Sequence, residues 1–154
     1  MSESLDIIAL KKFRMIFKSV RSHFHEVEQQ CGVSGSQLWL LSCLKKKDKQ
    51  RVTELANALS IHQSTASNLI EKMVREGLVK KEKSLADQRV TLISLSDLGL
   101  SVVSKAPGPA EGILPATLKT LSATELHQIC QSLDLILSKM DIDPAAGQTP
   151  LSDL

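Results

Sequence analysis

Between residues 62 and 73 the chain reads His-Gln-Ser-Thr-Ala-Ser-Asn-Leu-Ile-Glu-Lys-Met. Gln63, Ser64, Thr65, Ser67 and Asn68 crowd polar, hydrogen-bonding side chains into a segment whose second half has the apolar spacing of a helix. Ser, Thr and Asn are weak helix formers, because their side chains compete for backbone hydrogen bonds. They are well suited to other work. Gln and Asn can pair bidentately with adenine, while Ser and Thr can donate or accept and are short enough for close approach. Lys72 and Arg75, one and two turns later, suit phosphates and would fix register more than sequence. A merely solubilising surface is the plainer reading. Solvated helix faces usually carry Glu, Lys and Arg, however, as Glu71-Lys72 and Arg75-Glu76 do, and the first two turns avoid them. That choice favours contact with a nucleic acid.

A second group is Asp87-Gln88-Arg89, with Lys83 a few residues before it. An Asp can hold an Arg two residues on by a charge-assisted hydrogen bond and aim its guanidinium outward. An Arg on a projecting loop suits the strong negative potential of a narrow minor groove. The plainer alternative is a surface ion pair of little energetic worth. Charge segregation supports the first reading. Residues 45–91 contain eleven Lys or Arg and six acids, net +5, whereas the rest of the chain is net −3. The middle is thus matched to a polyanion and the flanks are not. The run KKKDKQR (45–51), taken alone, is an ordinary solvated face.

These groups need a frame. Leu5, Ile8, Ala9, Phe13, Ile16, Phe17, Val20, Phe24 and Val27 recur at helical spacing and predict one long helix ending near Gly32. Ser34 and Gln37 have capping-box form and open a second helix through Leu38, Trp39, Leu41 and Leu44. Thr53 is the expected cap of a short third helix, which a tight connection at Ser60-Ile61 joins to the polar-faced fourth. There Ala66, Leu69, Ile70, Met73 and Val74 share the inner side, and Gly77 marks the end. The period then changes to two. Residues 78–83 and 89–95, around the turn-prone Ser84-Leu85-Ala86-Asp87, predict a β-hairpin with Val90, Leu92 and Ile93 as its apolar members. A helix opened by Ser96-Asp97 meets a break at Pro107, Gly108, Pro109 and Pro115. Ser122 and Glu125 cap a last helix with an apolar stripe from Leu126 to Met140. The Pro-, Gly- and Ala-rich segment 144–154 is expected to be disordered.

Other chemistry finds little support. Cys31, Cys43 and Cys130 are widely spaced and odd in number, so they outline neither a disulfide framework nor a metal site. Each reads as a small buried hydrophobe, with Cys31 the first choice for a redox-active thiol. His23 and His25 fall on different faces of a helix and do not form a metal pair. His127 is expected to be solvated. No nucleophile elbow, phosphate loop, HExxH or paired carboxylates appear, so an enzyme is not expected, and neither is a cofactor or metal. No apolar run reaches the length of a membrane span, and the first residues lack a leader layout, so a cytoplasmic protein is expected.

The run VTELANALSIHQSTASNLIEKMVREGLVKKEKSLADQRVTLISLSDLG (52–99) resembles the winged helix-turn-helix of MarR-type transcriptional regulators. Its specific parts are the helix pair, GLV (77–79), and DQRVTLISLSDLG (87–99), which is similar to the family's D-x-R, L-x-L-[ST] and terminal Gly pattern. The resemblance implies a mainly α fold with a small β-hairpin wing. A winged helix-turn-helix DNA-binding domain at 34–96 would be flanked by helical dimerisation regions at 1–33 and 97–143. It further implies a homodimer reading a pseudo-palindromic operator in double-stranded DNA, with half-sites about 10–10.5 base pairs apart or a multiple of that. Ser64, Thr65, Ser67 and Asn68 map to major-groove positions, joined by Gln63 and Lys72. Arg89 maps to the minor groove, supported by Asp87, with Lys83 on the same wing. The apolar stripes on 5–27 and 126–140 agree with a dimer, since they exceed what one small domain can cover. Repression relieved by a small amphipathic ligand or an oxidant is the expected mode, with Phe13, Phe17, His23 and Trp39 as the candidate effector pocket. In the family the helix after the wing is long and continuous, and the prolines here depart from that. The competing reading is a winged-helix module that docks an acidic protein without specific DNA binding.

Overall fold

The computed structural model describes residues 2–154. Its order is α1 (Leu5–Cys31), α2 (Gly35–Lys46), α3 (Val52–Leu59), α4 (Gln63–Arg75), β1 (Val79–Lys83), β2 (Thr91–Leu95), α5 (Asp97–Lys105), α6 (Ile113–Lys119) and α7 (Ala123–Ser138). Local chemistry explains most boundaries. α1 stops at Gly32, whose φ of 68° is the left-handed cap that glycine adopts without a Cβ penalty. α2 opens with the reciprocal Ser34–Gln37 box, and α7 with the equivalent Ser122–Glu125 box.

α2 is the centre of the packing. Leu38, Leu40, Leu41 and Leu44 are fully buried, and around them close Val27 of α1, Leu55 of α3, Ile70 and Met73 of α4, and Ile93 of β2. A helix apolar on nearly every side belongs in the interior. The hairpin β1–β2 is antiparallel, with Val79 opposite Leu95 and Lys83 opposite Thr91. A third segment extends it: Gln50 pairs with Ile93 through backbone bonds of 3.0 and 2.8 Å.

Four expectations need correction. Arg51, not Thr53, is the N-cap of α3, because the Gln50–Ile93 bridge holds the preceding backbone extended and starts the helix at Val52. Val90 lies in the hairpin turn, its N–H donating to Asp87 O, and the buried members of β2 are Ile93 and Ser94. Pro115 does not break a helix. It sits in the first turn of α6, where a missing N–H has no intrahelical partner to lose. The interruption is confined to residues 106–112. Segment 144–154, expected to be disordered, forms two short 3-10 turns, Pro144–Gln148 and Leu151–Asp153. Asp143 caps the first through its bond from Ala145 N–H, and Ser152 seats the second on α2.

α5 packs on α2 and β2, so the helical region beginning at 97 is continuous with the winged body at its start. α7 is different: none of its residues is buried, and Leu133, Leu135, Ile136 and Leu137 are exposed, as is Met140 just beyond its end. Leu5, Ile7, Leu10, Met15, Ile16 and Phe17 leave a matching apolar surface on the first half of α1. No helix among the described residues is long and apolar enough to cross a membrane.

Candidate nucleic-acid interface

α3 turns into α4 within three residues. Ser60 takes the left-handed conformation, with φ 55°, and Ile61 N–H bonds to Ala56 O at 3.0 Å while its side chain is buried. This fixes the start of α4 against α3. Ala66, Ile70 and Met73 hold α4 down on the core. Gln63, Ser64 and Asn68 face solvent, with Thr65 and Ser67 half-buried beside them. Among the described residues, none of these five side chains has a hydrogen-bond partner inside the chain. The N-cap, His62, gives no side-chain bond either, and the first turn carries no acid. The N–H groups opening α4 and the polar side chains beside them therefore face outward together.

The far end of the helix is anchored. Buried Gln37 donates to Glu76 Oε2 at 3.0 Å, and Glu76 Oε1 lies 3.9 Å from Lys72 Nζ. Lys72 and Arg75 are both exposed on this side. Glu71 pairs with Lys81 of β1, tying α4 to the wing.

In the wing, the Asp87 carboxylate accepts three bonds from one residue. Arg89 gives its backbone N–H at 3.0 Å, Nε at 3.1 Å and Nη2 at 3.1 Å. The Arg89 side chain nonetheless keeps 91% of its surface exposed, so the guanidinium is oriented without being covered. Its side-chain bonds, followed by its backbone N–H, hold the Asp87 carboxyl below its ordinary value. Lys83 Nζ donates to Thr91 Oγ1 across the hairpin at 3.1 Å.

The base of the wing rests on residues that sequence reasoning missed. Gln50 Nε2 donates to Cys43 O at 3.0 Å and Lys47 O at 2.6 Å, closing the end of α2. Asp48 Oδ1 accepts from Leu95 N–H at 3.0 Å. Gln50 stands within KKKDKQR, where the lysines dominate any reading by charge. Gly99 is the other omission in detail. A Cβ there would lie 2.1 Å from the Leu78 carbonyl oxygen, so the terminal Gly of the DQRVTLISLSDLG run is a contact between α5 and the strand entry.

The suggested effector quartet is not gathered into one pocket. His23 is buried, its Nε2 3.1 Å from Pro109 O. Phe13 and Phe17 lie 6.2 Å apart between centroids with their rings tilted by 40°, and Phe17 is exposed. Trp39 instead faces two clefts. One is lined by Phe24, Gly35, Pro115 and the C-terminal segment. The other, about 240 Å³, is lined by Ser42, Cys43, Lys46 and residues 109–111. Phe24 was legible as part of the α1 stripe but not as a cleft residue. Of the thiols, Cys31 is half-buried at the end of α1, burial pushes the Cys43 thiol up, and Cys130 is exposed on α7 rather than in a core.

A helix–turn–helix that runs directly into a two-stranded wing defines a winged helix-turn-helix domain. Residues 33–91 match the MarR family model, so the winged helix-turn-helix of this chain is similar to that of MarR-type proteins. Curated relatives agree. The chain is 24% identical over 113 residues to the HTH-type transcriptional repressor MdtR of Bacillus subtilis, covering 73% of each chain. It is 22% identical over 121 residues to the regulator MgrA of Staphylococcus aureus, covering 79% of this chain and 81% of that one. Among solved structures, Sco3205 of Streptomyces coelicolor, a MarR family regulator in complex with DNA, superposes with a TM-score of 0.62 at 18% identity over 96% of this chain and 97% of that one. A mutant MarR from E. coli complexed with operator DNA gives 0.58 at 19% identity, over 88% and 99%. At these identities the structures share the fold.

Proposed function

We propose that this protein is a homodimeric, sequence-specific DNA-binding transcriptional regulator, a repressor relieved by a small amphipathic ligand or an oxidant. The observation that carries the reading is the outer face of α4: Gln63, Ser64, Thr65, Ser67 and Asn68 have no side-chain partner among the described residues, on a helix packed on the core from behind. Polar side chains that give up helix propensity and satisfy nothing internally are suited to base edges. Lys72 then meets phosphate, while Arg89, aimed by Asp87, enters the minor groove with Lys83 beside it. Exposed apolar surface on α1 and α7 supports a second copy, because an unpacked 16-residue helix is marginal in water. A two-fold pair presents two α4 helices to successive major grooves and two wings to the flanking minor grooves. A regulator that acts on DNA fits a cytoplasmic protein. For the effector, the open cleft at Trp39, Cys43 and Lys46 is a candidate site beside the Phe13, Phe17 and His23 group.

Fluorescence anisotropy against the gene's own upstream DNA tests the reading. The expected result is tight binding to one segment, with a log-affinity falling steeply with log salt, by about 0.9 per phosphate contact. Equal affinity for random duplex, or a monomer in sedimentation at the same concentration, would defeat it. A thermal-shift screen of phenolics, fatty acids and peroxides addresses the effector.

A further inference from the structure

The C-terminal segment ends in a groove where several elements meet. Phe24 of α1 and Pro115 of α6 form one side, Gly35, Ser36 and Trp39 of α2 form another, and Leu59 and Ile61 close it from the α3–α4 turn. Pro150, Leu151 and Ser152 complete the lining. Ser152 Oγ accepts the Ser36 N–H at 3.0 Å across a sequence separation of 116. That N–H belongs to the first turn of α2, where the Ser34–Gln37 box satisfies its neighbour at Gln37 and leaves Ser36 to the tail. Position 35 is shaped for this arrangement. A Cβ on Gly35 would meet the Phe24 ring at 2.4 Å and the Ser152 Cβ at 3.1 Å, so ring and tail occupy the space a side chain would need. Asp153, hydrogen-bonded to Ser152 Oγ at 3.3 Å, adds an acid beside a helix N-terminus.

We infer that residues 149–154 are a tethered ligand of this groove. The segment bridges the arm helices α1 and α6 to α2 and the helix-turn-helix connection, so its seat lies where the two parts of the molecule join. Leu151 keeps 40% of its surface exposed, which marks a contact weak enough to be displaced. A tether of about ten residues from the end of α7 raises the local concentration of such a weak ligand to about the millimolar range. The groove is therefore filled by the chain itself, and an apolar guest with a hydrogen-bond acceptor enters only by displacing the tail. The assignment does not depend on DNA binding.

Trp39 is the only tryptophan and lines the groove, so its emission reports occupancy directly. The experiment compares the full chain, a chain ending at Gln148, and full-length Leu151→Asp, each titrated with the synthetic peptide Thr-Pro-Leu-Ser-Asp-Leu. The truncated chain should show red-shifted Trp39 emission that returns saturably as peptide is added at about 0.1 mM, tenfold below the tether's effective concentration. The full chain should respond at least about tenfold more weakly, since its groove is occupied. Leu151→Asp, which keeps every residue of the chain in place, should behave like the truncation. Identical emission from all three proteins, or equal peptide responses from the full and truncated chains, would overturn the inference.

Discussion

Replacing Gly99 by Ala is a severe test of how the wing is joined to the helical region. The added methyl would stand 2.1 Å from the Leu78 carbonyl oxygen and 3.2 Å from Leu41 Cδ2. Backbone oxygen cannot swing aside as a side chain can, so α5 must retreat by about 1 Å to restore even a close contact. That retreat strains a compact hydrogen-bonded knot. Ser96 Oγ donates to Gly77 O at 2.6 Å and accepts from Gly99 N–H at 3.0 Å, while Ser96 N–H reaches Leu78 O at 3.2 Å. Overpacking costs roughly 1–3 kcal/mol. Two weakened hydrogen bonds add about 0.5–1.5 kcal/mol each. Alanine returns about 1 kcal/mol through its better helix propensity. The net loss is centred on about 3 kcal/mol, which for a urea slope of about 2 kcal/mol/M lowers the midpoint by about 1.5 M. Equilibrium urea unfolding followed by circular dichroism reads this directly. A Gly99→Ala protein as stable as the parent would refute the reasoning, since propensity alone would then govern the site.

Other outcomes follow from the same geometry. Arg89→Ala should leave the melting temperature unchanged, because the Asp87 pair is solvent-exposed, while weakening DNA binding; a large stability loss would make Arg89 structural. A lowered Asp87 carboxyl means its contribution is complete above the ordinary carboxylate value and fades only as pH falls through the lowered one, so the Arg89 Nε resonance should not move between about pH 5 and 8. Gln50→Ala strips two carbonyls of their donor at the end of α2 and should cost about 1–3 kcal/mol, measurable by thermal unfolding. Burial raises the Cys43 thiol, so iodoacetamide should modify it more slowly at pH 8 than a short unstructured cysteine peptide, with the rate still climbing beyond the ordinary thiol range.

Much of this architecture was legible because short-range chemistry specified it. The Ser34–Gln37 and Ser122–Glu125 boxes, the Gly77 stop and the change of period at the hairpin are all local signals, and each stands where the sequence indicated. The two faces of α4 follow from spacing alone. What could not be read depends on residues distant in the chain. Gln50 gains its role only when Ile93 arrives beside it, and Gly99 only when Leu78 O does. Pro115 misled because a proline disrupts a helix interior yet fits its first turn, and only the position of Gly112 separates the two cases. The tail's composition is that of a disordered segment; its place is decided by one hydrogen bond and a groove made by four other elements. The aromatic quartet is dispersed for a related reason. Helical spacing puts Phe13, Phe17 and His23 near one stripe, but His23 lies nearly two turns beyond the Phe13–Phe17 pair, and Trp39 lines a cleft with Phe24 instead.

The central claim is that the outer face of α4 reads bases. The most direct measurement is the base preference of the wild-type and Asn68→Ala proteins across a randomised operator, taken with their melting curves. The account predicts an unchanged melting temperature and a preference relaxed by about 1–3 kcal/mol at one base pair in each half-site, with the others intact. An unaltered preference at every position, in a protein that still folds and binds, would contradict it.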